Sequence, residues 1–409
     1  MLSRVLRGLS IAGMLSAGGA TALSAQSTPA TTPATTPTPA PAPAAAPQAP
    51  APALDFSGVI FGNYQYRTDS LAKAQTGGKS PNQFVIDRVY LTFRMPVGDR
   101  ASIRATTDIV QNANGAYYNG WSVRLKYGYL QYNFLQNLGG HPGFNALARV
   151  GMLHTVVIDH EEGFWPRYLS QTAVERFGFF SSADLGAASQ LSLPGKMGEI
   201  YGTITNGPGY TSPEVDRFKD LALRVTLTPL GTHAGLLQTL AISPWVYRGR
   251  TASKYAAGGR GQVAPVTDGL TRDRWGIFAG IKDPRLVVAA HYARRTEGFE
   301  TGANTLASPR VAAPDSSGTL WSAYTVVRPI QWTSGKNTAK LGIVARWDRF
   351  TPRTTRSGVQ RLAILGLQWE PTSRTALALD YQDVTPQDYN GPAPITETRG
   401  WYLHWNASF

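Results

Sequence analysis

Three patterns in the sequence predict an all-β fold: a transmembrane antiparallel β-barrel of about sixteen strands. No stretch after residue 25 offers eighteen consecutive apolar residues, and the mean hydropathy is −0.20, which together exclude helical membrane spans. Apolar and polar residues instead alternate with period two over segments of about 10 residues, the length of a tilted membrane-crossing strand. Long and short connections also alternate along the chain, as in bacterial barrels.

The first 25 residues predict an export signal. Arg4 and Arg7 form a cationic start, an apolar stretch follows over 8–23, and small residues over 22–25 provide a cleavage site. A transmembrane anchor is the alternative, but the stretch is short and diluted by Gly, Ser and Ala. The chain contains no cysteine, which excludes a disulfide framework and a lipid-anchored N-terminus.

Residues 26–53 contain only Gln, Ser, Thr, Pro and Ala, and this composition predicts a disordered periplasmic linker. It is either a plain spacer or a tether to the cell wall. Every aromatic residue lies at or after Phe56, so residues 54–409 are predicted to form one barrel. The formal net charge of +13 favours anionic solutes or an anionic membrane surface, and the export signal argues against nucleic acid.

The last strand shows the alternation best. Trp401, Leu403, Trp405 and Phe409 share one face, while polar residues share the other. A soluble β-sandwich or β-helix would also alternate, but it would not place such residues on one face of a strand that ends at the last residue. The strand expected at 121–134 shows the same alternation, with Arg124 and Lys126 on one face. The residues of the opposite face are expected to contact lipid: Val123, Leu125, Tyr127 and Tyr129.

The same reading along the chain gives sixteen strands, near 56–67, 84–95, 101–112, 121–134, 146–156, 184–193, 197–206, 219–228, 236–249, 271–282, 284–296, 319–332, 337–350, 358–370, 373–384 and 397–409. The odd connections are mostly long, and several even connections carry turn residues such as Pro-Gly-Lys at 194–196. An even strand number returns both termini to the periplasmic side.

Four stretches and the final residue resemble the phosphate-selective porin O/P family: FVIDRVYLTFR at 84–94, RVGML at 149–153, NGPGY at 206–210 and KDLALR at 219–224, with Phe409. The resemblance implies a sixteen-stranded channel in the cell outer membrane, usually trimeric, whose third outer loop folds inward. In this sequence the third outer connection, 157–183, is the longest. The C-terminal pattern resembles the signal recognised by the barrel-assembly machinery, carried by Trp401, Leu403, Trp405 and Phe409.

Cationic residues on the polar faces of the strands are candidate pore-lining residues, because rings of Arg and Lys favour anions and a cation on the lipid face is costly. They are Arg88, Arg94, Arg104, Arg124, Lys126, Arg149, Arg224 and Arg346. We expect these side chains to face water in the lumen. The alternative is that they only pair with acids such as Asp108.

The third outer connection supplies the candidate constriction residues Asp159, Glu161, Glu162, Arg167, Glu175 and Arg176. It contains no lysine, which argues against a dedicated phosphate site and favours opposed acidic and basic sides. The run Asp159 to Glu162 could also suggest a metal or acid–base site. No second histidine stands nearby at ligand spacing, so we expect a solvated loop and no metal.

Aromatic residues near strand ends are expected to anchor the barrel at the two membrane interfaces: Trp121, Tyr132, Phe134, Trp245, Trp332 and Trp369. A sugar-binding aromatic row inside the lumen is the alternative, with Tyr64, Tyr66 and Tyr90 as candidates.

The function expected from these patterns is passive diffusion of small hydrophilic solutes with a preference for anions, without a cofactor. The resemblance implies that the channel is a homotrimer. Its expected partners are outer-membrane lipid, the barrel-assembly machinery and small anionic solutes, and not nucleic acid. No Gly-x-Ser-x-Gly motif or rim triad suggests an enzyme. The alternative is a structural or adhesion barrel without an open channel.

Overall fold

The computed structural model describes residues 53–112, 120–214, 216–251, 269–301, 311–333, 340–354, 358–387 and 397–409. The predicted signal peptide, and the predicted linker except its last residue, lie outside the described residues.

Sixteen antiparallel strands close into one barrel. They are β1 (Asp55–Arg67), β2 (Asn82–Pro96), β3 (Ala101–Asn112), β4 (Gly120–Leu135), β5 (Asn145–His154), β6 (Ala183–Ser192), β7 (Gly198–Thr205), β8 (Asp220–Leu227), β9 (Ala241–Thr251), β10 (Leu270–Lys282), β11 (Leu286–Thr301), β12 (Val311–Val327), β13 (Lys340–Thr351), β14 (Val359–Thr372), β15 (Thr375–Gln387) and β16 (Thr398–Ser408). Each strand pairs with its neighbours in sequence, and β1 closes on β16 with Val59 opposite Ser408. The predicted fold class and strand number are confirmed.

The helices are short and lie in the connections. They are α1 (Ser70–Gln75), α2 (Ile158–Glu162), α3 (Ala173–Arg176) and α4 (Ile330–Thr333). Single 3₁₀ turns occur at Leu138–Gly140, Pro194–Lys196 and Leu236–Thr239. None of the helices in the described part of the chain has the length and apolar character to cross a membrane.

Two predicted strands differ from the structure. The strand expected at 236–249 starts at Ala241, because Leu236–Thr239 forms a 3₁₀ turn. The strand expected at 319–332 runs from Val311 to Val327 and is followed by α4. Its first residues lack apolar alternation, and pairing with β11 extends the strand instead, for example Ser317 opposite Thr296.

A β-bulge in β4 inverts the faces of that strand. Thr106 of β3 pairs with Tyr127 and Thr107 pairs with Leu125, so Lys126 is the extra residue. Tyr127 and Tyr129 are therefore 3% and 8% exposed and lie inside the barrel. The expectation that they face lipid was wrong, because one inserted residue exchanges the two faces of all positions that follow.

Three aromatic predictions are also corrected. Trp245 is 2% exposed and lies inside the barrel, so it is not an interface residue. Tyr64 and Tyr66 belong to the outer face, where the Tyr64 ring lies 4.8 Å from that of the exposed Phe84, so neither can form a sugar path in the lumen. The other predicted interface aromatics are all largely exposed: Trp121, Tyr132, Phe134, Trp332 and Trp369.

Candidate functional site

The connection between β5 and β6, residues 155–182 (the β5–β6 segment), carries ten deeply buried apolar side chains. Its residues of at most 7% exposure are Val156, Val157, Ile158, Trp165, Leu169, Ala173, Val174, Phe177, Phe179 and Phe180. They pack in two clusters against inward-facing residues of the wall, among them Tyr201, Phe278 and Phe350. Burial of this many apolar groups fixes the segment strongly against the barrel.

Polar wall residues hold the backbone of the segment at several points. Arg224 of β8 donates to the Val156 carbonyl, and Gln382 of β15 donates to the Leu169 carbonyl at 3.1 Å. Arg346 of β13 donates to the Gln171 carbonyl at 2.7 Å and to Ser170 Oγ at 3.1 Å. Three separate wall strands, β8, β13 and β15, therefore hold the β5–β6 segment.

The acidic run in α2 is solvated only in part: Asp159 is exposed, as expected, whereas Glu161 is buried, contrary to the expectation. Glu161 is 0% exposed, and its Oε2 lies 3.0 Å from His291 Nδ1. Trp245 Nε1 donates to His291 Nε2 at 2.9 Å. A neutral His291 with its proton on Nδ1 satisfies both contacts. Among the described residues, no group of three or more His, Cys, Asp or Glu side chains could hold a metal ion.

His160 makes a separate contact with the wall. Its Nε2 lies 2.9 Å from Ser243 Oγ, and Ser243 also contacts Thr226 Oγ1 at 3.1 Å. Burial lowers the pKa of His160 well below its usual value, and the charge of Arg224 lowers it further. His160 is therefore neutral near pH 7.

Arg167 joins the two short helices of the segment. It pairs with Glu162 of α2 at 2.8 Å and with Glu175 of α3. Burial raises the pKa of Glu162, and the Arg167 charge opposes that rise. Three of the six predicted constriction residues, Glu162, Arg167 and Glu175, are thus brought together, but they largely neutralise one another.

On the wall, two of the predicted pore-lining cations converge on one buried acid. Arg124 Nη2 lies 2.8 Å and Arg88 Nη1 3.8 Å from Asp108, whose side chain is 0% exposed. Tyr210 Oη donates to the same carboxylate at 3.0 Å. Arg88 and Arg124 remain partly exposed, at 22% and 31% of their side chains. Pairing with Asp108 therefore leaves part of each arginine side chain exposed, although Arg88 Nη1 and Arg124 Nε are buried.

Other wall cations lie over tyrosine rings. Lys126 Nζ is 4.2 Å from the Tyr90 ring, and Arg104 is 4.6 Å from the Tyr127 ring. Arg149 lies 5.5 Å from Tyr129. Such cation–π contacts stabilise a cationic side chain at the wall without an acidic partner. Sequence analysis missed Tyr127 and Tyr129 here because the β4 bulge has no composition signal.

Not all predicted pore-lining cations face water. Lys126, Arg224 and Arg346 are 3%, 5% and 3% exposed, because the β5–β6 segment covers the two arginines and the Tyr90 and Tyr127 rings lie against Lys126. Arg94 lies at the end of the barrel that carries the short turns, where its side chain is 46% exposed and 3.6 Å from Asp55. The expected water-facing position in the lumen is wrong for the three covered cations.

A cavity of about 510 Å³ remains between the β5–β6 segment and the wall strands β1–β3, β15 and β16. Its charged lining residues are Asp87, Arg88, Arg167 and Arg176, with Tyr402 and His404 beside them. Within the described residues, no carboxylate lies within 4 Å of Arg176. Burial lowers the pKa of Arg176, and Arg346 adds to this effect.

A second cavity, of about 580 Å³, lies on the other side of the segment near the short turns. The segment contributes Glu162 and Trp165, and the wall contributes residues of both charge signs: Lys282, Asp283, Arg328, Lys340 and Glu370. Polar spaces thus lie on two sides of the β5–β6 segment.

The C-terminal residues form the seam of the barrel. The backbones of Phe409 and Gly58 exchange two hydrogen bonds of 3.0 Å, and the Phe409 ring lies 5.8 Å from that of Phe56. A Cβ at position 58 would lie 2.2 Å from the Phe409 ring, so any other residue there would displace that ring. Trp401 and Leu403 are about half exposed on the outer face.

The fold is shared with solved outer-membrane proteins. An anion-selective porin from Comamonas acidovorans superposes with a TM-score of 0.55 at 11% identity, over 88% of this chain and 100% of that chain. The outer membrane channel DcaP of Acinetobacter baumannii gives 0.54 at 13%, over 88% and 98%. OmpT, an outer membrane protein of Vibrio cholerae in a trimer form, gives 0.54 at 12%, over 88% and 99%.

No family model and no curated protein sequence matches the chain. The barrel fold of outer-membrane porins is therefore established by structure, whereas membership of the phosphate-selective porin O/P family stays a prediction.

Proposed function

We propose that the protein is a passive diffusion channel of the cell outer membrane, and that the β5–β6 segment is its inward-folded constriction loop. The observation that carries the proposal is the charged cavity left between that segment and β1–β3, β15 and β16. The segment packs against the wall through buried apolar residues, and this cavity is the path for solute left beside it. A hydrophilic lining suits small polar solutes.

We infer that this path prefers anions. Arg88 and Arg176 are partly free of compensating charge, whereas Arg167 is neutralised by Glu162 and Glu175. Asp87 is the acid that lines the same cavity. A cation that is held in a narrow polar passage lowers the energy of a passing anion. The anion-selective porin of Comamonas acidovorans, which has the same fold, supports this interpretation.

The reversal potential in a planar bilayer under a KCl gradient tests the proposal. We expect the purified protein to give steady conductance steps and a potential that reports chloride preference. Arg176→Glu should weaken or invert that preference, while Arg374→Glu, a charge reversal at an exposed turn, should leave it unchanged. Cation preference in the unmodified protein would contradict the proposal. Electrical silence would support a structural or adhesion barrel instead.

Phosphate is one anion that this path could pass. The β5–β6 segment offers arginines but no lysine, and Arg167 is already paired, which supports a general anion preference over a dedicated phosphate site. Adding phosphate to a chloride solution should therefore reduce the current only slightly. Strong block of the current at low millimolar phosphate would support the phosphate-selective assignment.

We further propose a homotrimer that inserts through the barrel-assembly machinery, with its N-terminal linker in the periplasm. The trimer form of the Vibrio cholerae protein with this fold supports the oligomeric state. The outward Trp401 and Leu403 and the terminal Phe409 support the assembly signal. Mass measurement of the detergent-solubilised protein tests the trimer, and a monomer mass would contradict it.

A further inference from the structure

Four arginines face outward on one arc of the barrel, at the end that carries the long connections. Arg248 follows Val246 by two residues on β9, and Arg349 follows Trp347 by two residues on β13. Val246 and Trp347 are 51% and 45% exposed, and alternate residues of a strand share a face. The same alternation places Arg294 outward on β11 beyond Tyr292, and Arg361 outward on β14 before Ala363.

These arginines lack acidic partners. Within the described residues, no carboxylate lies within 4 Å of any of the four guanidinium groups, and Arg294 has only a 3.4 Å contact with Ser317 Oγ. Asp273 faces outward opposite Arg248 in register but forms no ion pair with it. Unpaired cations on the outer face of a membrane barrel are costly unless they lie at the headgroup level.

Two of the four arginines are direct cross-strand neighbours. Arg349 of β13 lies opposite Arg361 of β14 in register. Like charges in this arrangement repel each other. Arg361 Nε is also buried without a hydrogen-bond partner. A doubly charged anion between the two side chains would relieve the repulsion and give both guanidinium groups a partner.

An aromatic row lies beside the arginines on the outer face. The rings of Trp275 and Tyr292 lie 5.5 Å apart, and those of Tyr292 and Trp321 lie 4.5 Å apart. Trp275 is opposite Arg294 in register, and Trp321 is opposite Arg349. Rows of Trp and Tyr mark the membrane interface, so long side chains beside them reach the headgroups.

On the neighbouring strands β15 and β16 an outward arginine also lies near an exposed tryptophan, but there acidic residues neutralise the arginine. Arg399 of β16 lies outward beyond Trp401, and it pairs with Asp383 at 3.1 Å and with Glu397 at 3.0 Å. On β2–β5 and β8 the strand cations Arg88, Arg94, Arg104, Arg124, Arg149 and Arg224 belong to the inner face. The unpaired outward cations of the described strands are thus concentrated on β9–β14.

We propose that the outward face of β9–β14 at this level binds the phosphate groups of an outer-leaflet glycolipid, with Arg349 and Arg361 sharing one phosphate. The planar guanidinium group binds phosphate through two parallel hydrogen bonds, and the aromatic row contacts the adjoining acyl chains. The inference rests on the proposed insertion of the barrel in the outer membrane, with the long connections on the extracellular side. It does not depend on conductance.

Lipid binding to the full chain in detergent micelles tests this assignment, with native mass spectrometry as the readout. The probes are lipid A with both phosphates, lipid A stripped of phosphate, and phosphatidylglycerol. We expect phosphorylated lipid A to bind at least about tenfold more tightly than either comparison lipid, a ratio that one strong charge-assisted contact supplies. Equal binding of the stripped lipid or of phosphatidylglycerol would overturn the proposal.

Variants locate the site. R349Q/R361Q should lose about tenfold in affinity for phosphorylated lipid A, R349K/R361K should lose less, and Arg374→Gln at an exposed turn should lose nothing. Heat-modifiable gel migration confirms that each variant is folded. If R349Q/R361Q is folded and binds as tightly as the unmodified protein, the proposal is wrong.

Discussion

Glu161 of the β5–β6 segment and His291 of β11 meet at 3.0 Å, and both side chains are buried. The two residues are 130 positions apart in the chain. The contact joins the candidate constriction to the far wall of the barrel, where Trp245 holds the other nitrogen of His291.

Removing this contact should loosen the segment. A hydrogen bond to a charged group contributes about 1.5–3 kcal/mol, so Glu161→Ala should increase transient opening by roughly 10- to 100-fold. Trypsin cleavage after Arg167 or Arg176 reports that opening. Glu161→Gln keeps an acceptor for His291 and should change the rate little. Asp383→Asn, on the outer face, is the control, and equal cleavage rates in all variants would contradict the prediction.

Acidification should destabilise the barrel through His160. Because burial holds the pKa of His160 below its unfolded value of 6.5, the unfolded chain binds the proton more readily. The stabilisation is therefore complete above about pH 6.5 and is lost as the pH falls through the range below it. Urea titration followed by tryptophan fluorescence at pH 7.5 and pH 5 should show a smaller pH effect in His160→Asn. An identical pH effect in both proteins would exclude this role.

The buried pair of Arg346 and Asp348 should show strong coupling. Arg346→Met leaves the fully buried Asp348 with Ser322 as its one remaining side-chain partner among the described residues, which costs roughly 3–5 kcal/mol. The double variant Arg346→Met/Asp348→Leu removes the unpaired charge and should recover much of that loss. Free energies of unfolding in urea measure both. If the double variant is as unstable as the single one, the loss comes from the contacts of Arg346 with Ser170 and Gln171.

Phe409 should matter more for assembly in cells than for stability. Phe409→Ala should lower the amount of inserted barrel several-fold while the purified chain still refolds in detergent. Phe93→Ala removes another exposed outer ring, which lies 5.0 Å from Phe56, and serves as the control. Equal losses in cells for both variants would mean that the ring acts only through lipid contact.

Strand number and most strand boundaries could be predicted because one face of each strand meets lipid and the other meets polar groups. The alternation fails where a single residue is inserted. At Lys126 the β4 bulge exchanges the faces, and Tyr127 and Tyr129 move from the expected outer face to the interior. Nothing in the composition of that strand marks the insertion.

The candidate site was predictable only in part. The acids and arginines of the segment could be selected by position, but their wall partners depend on distant strands. Glu161 was expected to be solvated because its neighbours are polar, and its burial follows from His291 and Trp245. The alternation correctly places Arg346 on the inner face of the barrel, but the β5–β6 segment covers its side chain. Alternation gives the face of a residue and not what packs against that face.

Cysteine modification measured during single-channel recording tests most directly whether solutes pass between the β5–β6 segment and β1–β3. The chain has no cysteine of its own, so a single introduced thiol can be labelled selectively. In Arg176→Cys, a bulky methanethiosulfonate reagent should reduce the conductance, while in Arg374→Cys, at an exposed turn, it should have no effect. An unchanged conductance after complete labelling of Arg176→Cys would contradict a path through this cavity.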